Sequence, residues 1–182
     1  MIEYLTKTDY QIGRRCVKRL WHEKNQIWLH EQSAADEKNA FEGNRFNDAL
    51  QGYFPAGVMV GWQHGSIQDA IAKTQELLTH DVVTIFEAAF EFDGFLCMAD
   101  VLVKQNGHLT LIEAKSSNHP KIESRDGFEH VYDAAFQTFV MTKCGVSPNK
   151  VELLHANGNC IWPDRKNLFL AEDITELVYE RL

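Results

Sequence analysis

The stretch VTIFEAAFEFDGFLCMADVLVKQNGHLTLIEAK, from Val83 to Lys115, decides the architecture of the chain. Its runs VTIFEAAFEF and FLCMADVLVK are rich in β-branched and aromatic residues and meet at Asp93-Gly94, a two-residue hairpin signal. HLTLIEAK follows after Asn106-Gly107, a second such signal. The three runs predict an antiparallel meander. Around the second turn, residues whose numbers sum to about 213 face each other, which puts Asp100 opposite Glu113. Alternation places Glu113 and Lys115 on one strand face with Leu109 and Leu111.

That placement raises a chemical question. Asp100 stands between FLCMA and VLV, inside an apolar strand where an unpaired carboxylate is costly. Two facing carboxylates repel unless a cation sits between them. A hard divalent ion such as Mg²⁺ favours carboxylate oxygens, water and phosphate. Lys115, one side-chain step further, is then placed to position or deprotonate a water or to steady a phosphate. The spacing alone also fits unrelated strand-end charges, with Lys115 paired to one of them.

Working outward, Thr6 or Thr8 is a helix N-cap ahead of DYQIGRRCVKRLWHEKN, with Tyr10, Cys16, Leu20 and Trp21 on one face. SAADEKNAFEGNRFNDALQGYF predicts a second helix, with an interrupted stripe of Ala40, Phe41, Phe46, Ala49, Leu50 and Tyr53. FPAGVMVG reads as a loop and short strand, and SIQDAIAKTQELLTH as a helix carrying Ile67, Ile71, Leu77 and Leu78. After the meander, GFEHVYDAAFQTFVMTKCG predicts a helix burying Val131, Ala134, Ala135, Phe139 and Val140 and stopping at Gly145. KVELLHAN and LFLAEDI follow as strands, and TELVYERL as a terminal helix. The expected architecture is α/β with a mixed central sheet flanked by helices. Its helical part is 1–80, its sheet core and motif helix 81–182, and 1–182 is one domain.

Bulk composition is ordinary for a soluble globular protein: 182 residues, 45% hydrophobic and 24% charged. A net charge of −8 argues against a protein that coats nucleic acid non-specifically. A local basic strip exists nonetheless at Arg14, Arg15, Lys18, Arg19 and Lys24. No apolar run reaches the roughly 18 residues needed to cross a bilayer, and the N-terminus lacks a signal-peptide core. With four scattered cysteines, Cys16, Cys97, Cys144 and Cys160, the expected compartment is the cytoplasm. The histidines, His22, His30, His64, His80, His108, His119, His130 and His155, form no HxxxH or HxH pattern and read mostly as solvated or capping.

Asp100 followed by Glu113-Ala114-Lys115 on a hairpin flanked by helices resembles the signature of the PD-(D/E)xK nuclease superfamily, with Ala99 in place of its Pro. The similarity is to RecB-like and Cas4-like nucleases, and above all to the N-terminal nuclease-like region of DUF2779 proteins. YLTKTDYQIGRRCVKRLW, FEGNRFNDALQGYFPAGVMV, TIFEAAFEFDGFLCMADVLVK, LTLIEAKSS and VYDAAFQTFVMTKCGV resemble that family's blocks in order. The resemblance implies a restriction-endonuclease-like α-β-β-β-α-β core that cleaves DNA, single- or double-stranded, with Mg²⁺ or Mn²⁺. It implies metal ligation by Asp100, Glu113 and the Ala114 carbonyl, catalysis by Lys115, and a site-facing Gln137. Met141 stands where the RecB-like motif has Tyr, and Glu87 offers a further carboxylate. Asp133, one turn before Gln137, reads as helix surface.

Two departures from the family pattern matter. RecB-like and Cas4-like enzymes place a metal-binding His on the first-motif helix, where this chain has Asn47, a weak carbonyl ligand. Cas4-like enzymes also hold an iron–sulfur cluster, but Cys144 and Cys160 lack the clustered spacing. No cluster is expected; Cys16 reads as a buried helix residue and Cys97 as core. DUF2779 relatives continue into an RNase H-like region, which implies a second domain or protein partner supplied in trans. The alternative function is a catalytically weak or inactive nuclease-fold module for DNA binding or assembly.

Overall fold

The computed structural model describes residues 4–25, 34–61, 65–118, 129–161 and 167–182. The chain runs β1 (Leu5–Thr6), α1 (Lys7–Arg15), α2 (Val17–Lys24), α3 (Ala34–Tyr53), β2 (Val58–Met59), α4 (Ile67–Leu77) and β3 (Val82–Phe92). It continues through β4 (Phe95–Gln105), β5 (His108–Lys115), α5 (Glu129–Lys143), β6 (Lys150–Ala156), β7 (Phe169–Asp173) and α6 (Thr175–Tyr179). Gly127, Phe128 and His30, His64 and His119 lie outside the described residues, as does the side chain of Ala40.

Both Asx-Gly turns take the left-handed conformation at both central positions, with φ 49° and 83° at Asp93-Gly94 and 52° and 80° at Asn106-Gly107. Their twist matches that of paired strands, so β3, β4 and β5 form the expected meander. α5 then crosses over and delivers β6 parallel to β5, while β7 returns antiparallel to β6. The sheet is mixed, in the order β2-β3-β4-β5-β6-β7, with α4-β3-β4-β5-α5-β6 reproducing the expected α-β-β-β-α-β order. At Gly107 a Cβ would meet nothing within 4 Å, so its cost would be conformational alone. Gly107→Ala is expected to lower stability by about 1 kcal/mol, the cost of an alanine in the left-handed region, in urea denaturation. An unchanged midpoint would contradict that account.

Two features of β4 prepare the site. Its ladder with β5 ends at Val101 opposite Ile112, so Asp100 and Glu113 occupy the next, unpaired level at the expected offset. Its ladder with β3 skips the same level, where Glu87 takes φ 52°. Side-chain alternation shifts by one there: Ile85 and Phe90, and likewise Leu102 and Cys97, are five apart yet pack in one core cluster. Beyond Asp100, β3 stays on one edge of β4, and β1 takes the other, pairing Leu5 with Phe95 and Thr6 with Leu96. Leu5 N–H donates to the Gly94 carbonyl at 2.8 Å. The N-terminal segment thereby fills the edge that β5 leaves.

The expected single helix over 9–25 is two helices. Cys16 is extended (φ −160°, ψ 105°) and exposed, correcting its reading as a buried helix residue. The break lets α2 fold back on α1, where Lys24 Nζ meets Asp9 Oδ2 at 2.8 Å and the Tyr4 carbonyl at 2.9 Å. A Cβ on Gly13 would lie 3.0 Å from Leu20 Cδ2, a tight approach that the Leu20 side chain would have to relieve. Local periodicity carries no trace of such a fold-back. Trp21 and Phe41, expected on apolar faces, are exposed. Leu50 is buried with Phe86, Val101, Ile112, Leu154 and Phe169, beneath α3. Among the described residues, no helix is long and apolar enough to cross a membrane.

Candidate active site

Glu113 reaches the end of β5 on the same face as Leu109 and Leu111, and it is fully buried. A buried carboxylate must be paired. Lys115 Nζ lies 2.5 Å from Glu113 Oε1 and 2.9 Å from Asp133 Oδ2. Gln137, buried one turn after Asp133 on α5, donates its Nε2 to Glu113 Oε2 and to the Asp133 carbonyl. Its Oε1 is buried with no hydrogen-bond partner. Asp133 is 8% exposed and also accepts from Gln11 Nε2 at 2.6 Å. That corrects its reading as helix surface: helical position set its face, but not what α1 and β5 pack against it.

Asp100 closes the gap between β4 and β5 with its side chain. Its Oδ2 accepts from the Ala114 N–H at 2.9 Å, replacing the ladder bond that the divergence of the strands removes. Asp100 and Glu113 then share a cation that the sequence pattern does not single out. Lys7 Nζ lies 3.3 Å from Asp100 Oδ1 and 3.1 and 3.2 Å from the two oxygens of Glu113. Lys7 opens α1, next to the N-cap Thr6, whose hydroxyl and amide form a capping box with Asp9. One local signal points to it: a lysine in the first helical turn opposes the macrodipole and calls for a partner elsewhere.

The electrostatics follow from this packing. Burial alone would raise the Glu113 carboxyl, but Lys7 and then Lys115 hold it well below the usual carboxylate range. Burial and the neighbouring Glu113 charge push Asp100 up, against Lys7 and Lys115. Burial works against both ammoniums, yet the charges of Asp100, Glu113 and Asp133 together outweigh it, led by Asp100 at Lys7 and by Glu113 at Lys115, so both are pushed up and stay charged.

On the other side, Asp100 lines a cleft of about 410 Å³ with Glu87 and with Asn44, Asn47 and Gln51 of α3. Met59 and Phe86 supply its apolar wall. Asn47 is thus brought to the Asp100 cleft, while Glu113, Lys115 and Gln137 lie in the network under α1 and α5. Met141 is fully buried in the core cluster, out of reach of any ligand. His155 is 3% exposed on β6 opposite Lys115 of β5. Cys97 is core, and burial pushes its thiol up. Among the described residues, no group of three or more His, Cys, Asp or Glu is arranged to hold a metal ion.

The donor set nonetheless suits a hard cation. Asp100 and Glu113 offer carboxylate oxygens, and the Lys7 ammonium, touching both, shows that one cation can bridge the pair.

No protein-family model matches the chain. No curated protein matches it either. Among solved structures, it is similar to LHK-Exo in complex with dAMP at 10% identity, over 99% of this chain and 82% of that one, with a TM-score of 0.48. It is also similar to the alkaline exonuclease LHK-Exo from Laribacter hongkongensis at 12% identity, over 98% and 82%, with a TM-score of 0.40. Likeness at this level does not bear on the chemistry of the site.

Proposed function

We propose that the protein is a nuclease of PD-(D/E)xK type that hydrolyses DNA phosphodiester bonds with Mg²⁺ or Mn²⁺. The observation that carries the reading is the pairing of Asp100 and Glu113 about one cation, with Lys115 in contact with Glu113. Asp100, Glu113 and the Ala114 carbonyl would hold the ion, with Asn47 a weak ligand from the cleft side. When bound, the ion supplies Lewis acidity at the scissile phosphate. Lys115, kept charged, offers its ammonium to the developing negative charge on the phosphate oxygens. Gln137 orients Glu113 through its amide, and Asp133 holds Lys115 from the other side. The Asn44, Asn47 and Gln51 face of α3 would flank the substrate in the cleft, and a second domain or protein partner would supply further contacts.

The test is cleavage of single- and double-stranded DNA with Mn²⁺ or Mg²⁺, comparing wild type with Lys115→Ala. Loss of the ammonium is expected to lower the rate by about 10²-fold or more. Equal rates would remove Lys115 from the chemistry. A second reading, a DNA-binding or assembly module with little catalysis, has its own support. Both Glu113 oxygens are already taken by Lys7, Lys115 and Gln137. Wild-type protein that binds DNA yet takes up no Mn²⁺ in titration would favour it.

A further inference from the structure

The pair that is read as the metal site is not open to a metal as it stands. Each Glu113 oxygen has two protein donors: Lys7 and Lys115 at Oε1, Lys7 and Gln137 at Oε2. Asp100 gives Oδ2 to the Ala114 amide and Oδ1 to Lys7. The group these bonds share between the two carboxylates is Lys7 Nζ. An ion that bridges Asp100 and Glu113 must therefore sit where that ammonium sits.

Charge balance points the same way. Within the cluster, three carboxylates (Asp100, Glu113, Asp133) face two ammoniums, Lys7 and Lys115. Exchanging Lys7 for a divalent ion makes the buried cluster neutral, which a low-dielectric interior favours. Lys7 is also built to leave. Its backbone is fixed by β1 and the Thr6 capping box. Its side chain is 25% exposed, so the flexible four-carbon stem can swing to solvent without moving α1.

We propose that Lys7 is the resident counter-cation of the Asp100–Glu113 pair, displaced when a divalent ion binds, so that α1 sets the affinity of the site for that ion. The proposal rests on the metal reading above and makes Lys7 a positioning residue. In the ion-free protein it keeps the two carboxylates together; toward the ion it is a competitor.

The test is direct Mn²⁺ binding, followed by electron paramagnetic resonance of free Mn²⁺ without nucleic acid, for wild type, Lys7→Met and Lys7→Gln. Removing a positive charge a few ångströms from the ion is expected to tighten Mn²⁺ binding at least about tenfold in both variants. Metal-free variants should melt below metal-free wild type, and Mn²⁺ should raise their melting temperature by more than it raises that of wild type. Lys7→Gln keeps hydrogen-bond donors toward the carboxylates and serves if Lys7→Met does not fold. Wild type that binds Mn²⁺ while the folded variants bind no tighter would overturn the role of Lys7 alone. Failure of wild type and variants alike to bind Mn²⁺ at millimolar concentration would overturn the metal reading and this proposal together.

Discussion

Asp100→Asn is expected to abolish Mn²⁺- or Mg²⁺-dependent DNA cleavage, lowering the rate by about 10³-fold or more, with the fold intact. The substitution is chosen for its geometry. Asp100 Oδ2 accepts from the Ala114 amide, and an asparagine carbonyl can keep that bond. What it removes is charge. On the proposed reading, a neutral amide beside Glu113 would leave the ion one carboxylate instead of two, and amide oxygens are weaker ligands for hard cations than carboxylates. Cleavage rates should be measured beside a melting curve, so that lost activity is not confused with lost structure. A well-folded Asp100→Asn protein that cuts at the wild-type rate would sink the assignment of the site.

Glu113→Ala is expected to carry the largest stability cost, about 3–5 kcal/mol in urea unfolding, because it removes the buried carboxylate that Lys7, Lys115 and Gln137 share, leaving Lys7 only Asp100, Lys115 only Asp133 and the Gln137 amide without its acceptor. Glu113 is fully buried, so solvent does not screen the loss. Since Glu113 is held below its ordinary value of 4.5, its charge contributes stability above that pH. That contribution is lost as pH falls toward the depressed folded value, and wild type and variant should converge in acid. A loss under about 1 kcal/mol for Glu113→Ala would mean that water reaches the cluster and screens it.

The strand offset that faces Asp100 with Glu113 is legible in the amino-acid sequence for a local reason. Two-residue turns at Asp93-Gly94 and Asn106-Gly107 leave little freedom in register, and a one-residue slip would turn every apolar side chain to the wrong face. The helix over 129–143 and the strand after it are legible from periodicity and Gly145, which takes φ 80°. Cys16 and Asp133 depart from their expected environments because those environments come from packing partners distant in sequence. Cys16 sits at a break created by α2 folding back, and Asp133 is covered by Gln11 and Lys115.

By itself, then, the sequence determined the meander, the mixed α/β order, and the shared level of Asp100 and Glu113, since turn chemistry and alternation act over a few residues. Only the tertiary structure decided which cation stands between them. Lys7 is 93 residues from Asp100 and 106 from Glu113, and it arrives because β1 pairs with the part of β4 that β5 has left. Hydrogen bonding of one strand edge placed it there, and no pattern along the chain encodes that edge.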